Sequence, residues 1–319
     1  MIDAAAQLIL NLVLSEVEHN MRVRRSIHFV PAANIKMLSK VPELPADAVI
    51  LDLEDSVILA NKDEARKNAA SWLASEGDNK ERFVRINPIT LNTGREDLES
   101  IVECDPDGIV LPKVSSLDDV KLADSIISAY EKRRGSSAVG RIKLILIGAE
   151  SAGTVFNLTS ISNNDRVDGL TWGVEDFFAS IGSRSKRDSQ GQYLEVFKYV
   201  RSVCLISAVS AKVQPIDAVF SDIANQKKLA EECKYSAQMG FTGKLTVHPN
   251  QISIVNESFS PSDAEIKDAN ELVAAFAENL REGKMAFLYN GMMVDAPHLE
   301  RAQNILDRSQ EIAKRDVQR

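Results

Sequence analysis

A carboxylate ends a strongly apolar stretch of the sequence, "LILIGAE", whose last residue is Glu150. A second acid, Asp176, follows the next apolar stretch in "WGVEDFF". A buried carboxylate needs a partner, and carboxylates at the ends of neighbouring parallel strands, about 4.8 Å apart, can share one cation. Oxygen ligands without a nearby histidine or thiolate favour Mg²⁺. Alternatively, Glu150 caps the following helix and Asp176 is an ordinary loop acid.

Arg85 lies in the apolar stretch "FVRIN", where a permanently charged guanidinium needs an anion. A substrate carboxylate would suit it, because Arg binds carboxylates with two parallel hydrogen bonds. The stretch "LDLEDS" offers acids of the protein itself as alternative partners: Asp52, Glu54 and Asp55. Acids this close repel one another, so at least one should have a raised pKa or a cationic partner.

Other polar residues allow both a chemical and a structural interpretation. Lys62 and Arg66 are one helical turn apart and could bind phosphate, although a solvated helix face is the simpler interpretation. His248 in "TVHPNQ" could act as an acid or base, or be structural. Asp295 in "MVDAP" could serve an active site or be a turn residue before Pro297.

Short apolar runs alternate with segments of helical period from residue 24 onward, which is typical of repeated βα units with parallel strands. Eight such runs predict strands at 26–32, 48–54, 82–87, 108–114, 143–150, 169–174, 215–220 and 244–249. Helices are predicted at 62–75 and at 116–133, the latter with Ser116 as N-cap. We therefore predict a (β/α)8 TIM barrel, whose active site lies at the C-terminal ends of the strands. The residues predicted there are Pro31, Asp52, Glu54, Asp55, Arg85, Asn87, Lys113, Glu150, Asp176, Asp217 and His248.

The predicted domain organisation is one barrel with extensions at both ends. Residues 1–23 are an extra helix or a targeting segment, 24–255 form the barrel, and 256–319 form a C-terminal extension. This extension contains a helical segment at 261–283, a short apolar segment at 285–295 and a last amphipathic helix. We expect it to cap the barrel mouth or to reach a neighbouring subunit.

Composition narrows the classes of function. With 46 acidic and 38 basic residues the net charge is −8, which argues against binding to nucleic acid or anionic membranes. No apolar run approaches the ~20 residues that span a bilayer. The three cysteines show neither zinc-site nor disulfide spacing, so we expect reduced thiols in an intracellular protein.

These motifs together resemble the citrate lyase beta-subunit-like family. The matching stretches occur in family order over residues 24–315: "RRSIHFVPA", "VILDLEDSVILANKDEAR", "VRIN", "VLPKV", "GAESAGT", "WGVEDFFASIG", "IDAVFSD", "MGFTGKLTVHPNQI", "FSPSDAEIKDANELVAAF" and "MVDAP". Within the family the chain is most similar to the stand-alone acyl-CoA lyases of the citramalyl-CoA lyase type, with malyl-CoA lyases and thioesterases as relatives.

The resemblance implies a TIM-barrel lyase that uses Mg²⁺ to cleave an acyl-CoA such as citramalyl-CoA into acetyl-CoA and a 2-oxo acid, here pyruvate. It implies that Glu150 and Asp176 bind the metal and that Arg85 holds the oxo-acid end of the substrate. We expect Glu54 or Asp55 to orient Arg85. The localisation it suggests is the mitochondrial matrix or the cytoplasm.

The resemblance also implies how the CoA moiety and the neighbouring subunit take part. Arg25, Lys62 and Arg66 are where the family meets the CoA phosphates, which favours the phosphate interpretation of that helix face. Asp295 resembles the acid that the C-terminal segment delivers to the adjacent subunit, where we expect it to transfer a proton at the acetyl carbon. A homotrimer is the expected assembly.

Two rival functions remain open. The same residues would serve a (3S)-malyl-CoA thioesterase or a malate-synthase-like enzyme. The chain could also be a citrate lyase beta subunit that acts on an acyl carrier protein within a complex. A purely structural role would leave the acids at the strand ends unexplained.

Overall fold

The computed structural model describes residues 23–75 and 80–317. The predicted N-terminal helix or targeting segment, residues 1–23, lies outside this part except for Val23. The described part of the chain divides into two compact units, Arg24–Phe259 and the C-terminal residues from Ser260 together with Val23. Nothing in the described part of the chain is a helix long and apolar enough to cross a membrane.

The first unit is a closed barrel of eight parallel strands that pair in sequence order, β1 with β2 through to β8 with β1. The strands are β1 (Ser26–Pro31), β2 (Ala48–Asp52), β3 (Glu81–Arg85), β4 (Gly108–Leu111), β5 (Lys143–Gly148), β6 (Val167–Trp172), β7 (Gln214–Asp217) and β8 (Gly243–Thr246). Each predicted strand is present, with ends that shift by a few residues. The predicted (β/α)8 fold is confirmed.

Helices flank the barrel strands. They are α1 (Ile35–Leu38), α2 (Lys62–Ala74), α3 (Asn92–Val102), α4 (Leu117–Arg134), α5 (Leu158–Ile161), α6 (Val174–Ser180), α7 (Glu195–Ser210), α8 (Gln226–Met239) and α9 (Ile252–Ser258). Ser116 caps α4 as predicted: its hydroxyl accepts from the Asp119 N–H, and the Asp119 carboxylate accepts from the Ser116 N–H. This reciprocal capping fixes where the helix begins.

Strand alternation divides the apolar side chains between two cores. One set fills the barrel interior: Ile27, Ala48, Ile50, Phe83, Val110, Ile145, Ile147, Ile216 and Leu245. The intervening residues, such as Val49, Leu51 and Val84, pack in a larger core that includes side chains of the surrounding helices. Because parallel strands are buried on both faces, they read as continuous apolar runs in the sequence. Since all eight strands are parallel, the residues that come directly after them in the sequence lie at the same end of the barrel, the C-terminal mouth.

The C-terminal unit pairs two long helices, α10 (Asp263–Arg281) and α11 (Ala296–Val317), with a hairpin of β9 (Phe287–Tyr289) and β10 (Met292–Val294). The hairpin turns at Asn290 and Gly291, both with positive φ (48° and 80°), as a two-residue hairpin loop of the Asn-Gly type requires. Phe287 packs edge-on against Phe276 of α10, with ring centroids 4.7 Å apart. Val294 is buried in the same core, so the hairpin is anchored to the helices at both ends.

Candidate active site

Arg85, the last residue of β3, is held by Asp52, the last residue of β2. Arg85 Nε and Nη2 donate to the two carboxylate oxygens of Asp52 at 2.7 and 2.8 Å. The guanidinium also lies over the Phe29 ring, 4.8 Å from its centroid. Burial alone would raise the pKa of Asp52, but the ion pair with Arg85 holds it below its usual value. The guanidinium is therefore fixed in orientation and permanently charged.

Glu54 joins the same group from the loop after β2. Its Oε2 lies 3.0 Å from Arg85 Nη1 in a geometry that is not a hydrogen bond, while Oε1 accepts from Lys113 Nζ. Burial raises the pKa of Glu54 despite the charges of Arg85 and Lys113. Asp55 is 56% exposed and lies farther out, 3.5 Å from Arg85 and 3.4 Å from Lys113. The expected contact of Glu54 and Asp55 with Arg85 exists, but Asp52 is the acid that orients it.

Glu150 follows β5 and is buried, with 7% of its surface exposed. One carboxylate oxygen accepts from the backbone N–H of Lys113, which has a positive φ of 53° after β4. The pKa of Glu150 is raised to about 8, mainly by burial and also by the negative charges of Asp176 and Glu54, while the Lys113 N–H lowers it. The Lys113 ammonium, which donates to Glu54, lowers the pKa of Glu150 by less than these effects raise it, so the Glu150 charge is not fully compensated.

Gly173 makes room for the Glu150 side chain. A Cβ at this position would lie 2.3 Å from Glu150 Cγ and 3.1 Å from Oε1. Sequence reasoning did not single out Gly173, although it directly follows a predicted strand in "TWGVED". Glycine here lets the backbone after β6 approach the carboxylate.

Asp176 lies in the first turn of α6, directly after β6, and is 38% exposed. Its Oδ1 lies 3.8 Å from Lys113 Nζ. The structure thus brings Asp176, Glu150, Glu54 and Lys113 together at the C-terminal mouth of the barrel, after β6, β5, β2 and β4. In residues 23–75 and 80–317 no group of three or more His, Cys, Asp and Glu side chains is arranged as a metal site. A cation that takes one or two carboxylates, as Mg²⁺ does, fits a buried acid whose charge is not fully compensated.

Arg25 does not join this group. It precedes β1, so it lies at the N-terminal end of the barrel, opposite the mouth. Its backbone N–H and Nε both donate to Asp47, at 2.6 and 2.9 Å, and the side chain is 4% exposed. The expectation that Arg25 meets CoA phosphates loses its structural basis, because the guanidinium is buried with a protein carboxylate.

Lys62 and Arg66 are also occupied. Lys62 Nζ donates to the carbonyl oxygens of Leu53 and Glu54 at 2.6 and 2.7 Å, and only 9% of the residue is exposed. Lys62 therefore holds the loop that carries Glu54. Arg66 pairs with three carboxylates: Asp97 at 2.6 Å, Asp63 at 2.7 Å and Glu96 at 3.1 Å.

Two other strand-end residues have structural partners. Asp217 is 1% exposed and accepts from Trp172, Arg201, Ser236 and Lys244 between the sheet and helices α7 and α8. Burial alone would raise the pKa of Asp217, but Arg201 and Lys244 hold it far below its usual value. The structure therefore assigns Asp217 to the wall of the barrel.

His248 caps the short turn of helix that follows β8. Its Nδ1 lies 3.3 Å from the Asn250 backbone N and 2.6 Å from Asn250 Oδ1. Of the two interpretations that the sequence allows for His248, these contacts favour the structural one.

Asp295 belongs to the C-terminal unit, between β10 and α11. Its carboxylate is 46% exposed, and Oδ1 lies 2.7 Å from His298 Nδ1. The carbonyl oxygen of Asp295 accepts the first N–H groups of α11, from His298 and Leu299. The position of Asp295 is thus set by both the hairpin and the helix.

Comparisons with known proteins show which family the chain resembles. The family model described as HpcH/HpaI aldolase/citrate lyase matches residues 25–249. The chain is 33% identical over 301 residues to the mitochondrial citramalyl-CoA lyase of Rattus norvegicus, which covers 90% of this chain and 86% of that protein. It is 30% identical over 296 residues to the (3S)-malyl-CoA thioesterase of Cereibacter sphaeroides, covering 92% and 98%.

A solved structure shares the fold. Protein CitE from Mycobacterium tuberculosis, in complex with magnesium, acetoacetate and coenzyme A, superposes with a TM-score of 0.73 at 30% identity. The match covers 89% of this chain and 97% of that one.

Proposed function

The chain belongs to the HpcH/HpaI aldolase/citrate lyase family, and from this we propose that it cleaves citramalyl-CoA, or a closely related acyl-CoA, to acetyl-CoA and pyruvate with Mg²⁺. It is a carbon–carbon lyase, the class to which its family and its citramalyl-CoA lyase relatives belong. The observation that carries the proposal is the buried Glu150 with Asp176 beside it, at the same barrel mouth where Asp52 fixes the Arg85 guanidinium.

Glu150 and Asp176 would hold the metal. Both are hard oxygen ligands, and a bound cation would compensate the burial of Glu150 and its repulsion by Asp176, which together raise its pKa. When bound, Mg²⁺ supplies Lewis-acid stabilisation of the substrate oxygen that loses its proton. The Lys113 N–H fixes the orientation of Glu150, and the absence of a side chain at Gly173 leaves it room.

Arg85 would bind the carboxylate of the oxo-acid half of the substrate. Asp52 uses Nε and Nη2, which leaves Nη1 directed towards Glu54 and Asp55 at the mouth. A substrate carboxylate can take the place of these acids at Nη1 while Asp52 keeps the guanidinium in position. Substrate binding is then an exchange of one anion for another around a fixed cation.

Of the three basic residues expected to contact the CoA phosphates, we propose that Arg66 does so. Two of its three carboxylate partners are exposed, Asp63 by 83% and Glu96 by 59%, so a phosphate can compete with them. Lys62 holds backbone carbonyls and acts as a positioning residue for Glu54.

Asp295 would transfer a proton at the acetyl carbon of a substrate bound in a neighbouring subunit. Cleavage leaves acetyl-CoA as an enolate, which must take up one proton at carbon. The hairpin before Asp295 exposes Leu288 by 75%, Met292 by 67% and Met293 by 71%. Such apolar exposure is typical of surfaces that contact another chain, which supports a homo-oligomer, expected to be a trimer.

The relatives suggest where the reaction takes place. They include mitochondrial and bacterial enzymes, so an intracellular location, in the mitochondrial matrix or the cytoplasm, is the proposed one.

The test is incubation of the purified protein with citramalyl-CoA, with and without Mg²⁺, while pyruvate, acetyl-CoA and free CoA are followed together. Equal, metal-dependent amounts of pyruvate and acetyl-CoA support the lyase. The similarity to a (3S)-malyl-CoA thioesterase makes thioester hydrolysis the second candidate, and release of CoA without a 2-oxo acid would support it. Absence of every product would overturn the proposal and favour an acyl group carried on a protein.

A further inference from the structure

The candidate proton donor Asp295 is not alone: its side chain is paired with His298 in the first turn of α11. Asp295 Oδ1 and His298 Nδ1 are 2.7 Å apart, a distance typical of a strong hydrogen bond. The two side chains are 46% and 50% exposed, so both are accessible to water and to a bound substrate.

We propose that His298 is a positioning residue that orients Asp295 and reloads it with a proton after each turnover. The inference rests on the proposed role of Asp295 and deepens it by naming the source of its proton.

The local fold keeps the two side chains together. Val294 before the pair and Leu299 after it are buried at 3% and 0% exposure, in the core shared with α10. The N–H groups of His298 and Leu299 donate to the Asp295 carbonyl at 3.0 and 3.3 Å. These contacts fix the backbone on both sides of the pair, so the two side chains are held within hydrogen-bond distance of each other.

The hydrogen bond between Asp295 Oδ1 and His298 Nδ1 can form with the proton on either residue. With the proton on His298, Nδ1–H donates to Oδ1. With the proton on Asp295, Oδ1–H donates to the lone pair of Nδ1, and the Asp295 backbone N lies 3.3 Å from the same nitrogen. The side-chain pair therefore has one donor and one acceptor whichever of the two residues carries the proton.

The relay balances as follows. The Nδ1–H bond of the imidazolium breaks as the Oδ1–H bond of Asp295 forms. Asp295 then gives this proton to the acetyl carbon, where the electron pair of the enolate forms the new C–H bond. Solvent takes up the proton that the substrate hydroxyl releases and returns one proton to the imidazole, so the turnover consumes no net proton. An imidazole is suited to supply this proton because imidazoles in general exchange protons near neutral pH, whereas most carboxyl groups are fully ionised there.

The experiment compares citramalyl-CoA cleavage by wild type, His298→Gln, His298→Ala and Glu300→Gln. Glu300→Gln is the matched control, since Glu300 is an exposed acid in the same turn of α11. Glutamine can still donate to Asp295 but cannot relay a proton. We expect both His298 variants to lose roughly 10- to 100-fold in kcat with little change in KM. Added imidazole should restore part of the rate of His298→Ala.

The possible results separate the inference from the proposed function. An active wild type with a fully active His298→Gln, or with no imidazole rescue of His298→Ala, overturns the relay and leaves the lyase intact. A wild type without any cleavage overturns the proposed function and the relay with it. Equal thermal unfolding temperatures of the four proteins would show that the losses in kcat are not losses of fold.

Discussion

Glu150 links the chemistry of the site to the stability of the fold. Burial raises the pKa of its carboxyl group from 4.5 to about 8, so between these values the unfolded chain has released a proton that the folded chain keeps. The stabilisation is therefore complete below pH 4.5 and is lost as the pH rises towards 8. We expect the free energy of unfolding of the metal-free protein to fall by on the order of 1 kcal/mol per pH unit over this range.

Urea denaturation in EDTA at pH 5, 6.5 and 8 measures this slope. Glu150→Gln removes the titrating group, so its slope over the same range should be smaller. Equal slopes for the two proteins would show that Glu150 is not the titrating group.

Arg85 is the residue on which substrate orientation depends. Lysine keeps the charge but loses the two-pronged contact with Asp52 and the planar contact with Phe29. We expect Arg85→Lys to lower kcat/KM for citramalyl-CoA roughly 10- to 100-fold, because hydrogen bonds to charged groups contribute about 1.5–3 kcal/mol. Arg82→Lys is the control on the same strand, since Arg82 donates to the Leu73 carbonyl and lies by Asp107. If both variants lose the same activity, a specific role for Arg85 is contradicted.

Residue types and their place after a strand indicated much of the site, but not which partner each charge takes. Glu150, Asp176, Arg85 and Glu54 were all expected at the mouth, and the structure brings them together. Asp52, in place of Glu54 or Asp55, fixes Arg85, because it faces Arg85 directly in the β2–β3 register. The motif around Arg25 indicates that this residue lies next to a strand, but not at which end of the barrel. In the structure it lies at the end opposite the mouth.

At the scale of elements, the approach of the β6–α6 turn to β5 depends on Gly173. We expect Gly173→Ala to displace the Glu150 side chain, since the new Cβ would lie 2.3 Å from Glu150 Cγ. Mg²⁺ affinity, measured by calorimetry, should weaken roughly 10- to 100-fold, as is usual when a group that orients a ligand is disturbed. Gly153→Ala is the matched control, because a Cβ there meets no atom within 4 Å. Unchanged Mg²⁺ affinity in Gly173→Ala would show that Glu150 does not hold the metal in this orientation.

The sequence was more informative about the barrel than about the C-terminal unit. Eight β-branched runs match the eight strands because each parallel strand is buried on both faces, which leaves a continuous apolar signature. The hairpin of β9 and β10 was read only as a short apolar segment, although Asn290 and Gly291 are a strong turn signal. Three-residue strands are too short for alternation to stand out. The contact of Asp295 with His298 depends on the helix that begins between them.

At the scale of the whole molecule, the proposed oligomer makes each active site a composite of two chains. Glu150 belongs to the barrel unit and Asp295 to the C-terminal unit, and we propose that they meet across subunits. Closed symmetric assemblies repeat such an interface at every subunit, so each chain both gives and receives one Asp295. Light scattering of the purified protein should give the mass of a trimer of 35.1 kDa chains, and a monomer would contradict the shared site.

A site shared between two chains allows two inactive variants to complement each other, whereas a site contained in one subunit does not. Glu150→Gln and Asp295→Asn should each be nearly inactive alone, but co-expressed chains should regain activity. A complete site needs the barrel of an Asp295→Asn chain, which keeps Glu150, beside a Glu150→Gln chain, which keeps Asp295. In randomly mixed oligomers about a quarter of the sites meet this condition. Co-purification through two different tags shows that mixed oligomers have formed, and the double variant Glu150→Gln/Asp295→Asn mixed with wild type serves as the control. Mixed oligomers that stay as inactive as the single variants would show that Asp295 does not act in the neighbouring barrel, since only transfer between chains can assemble a complete site.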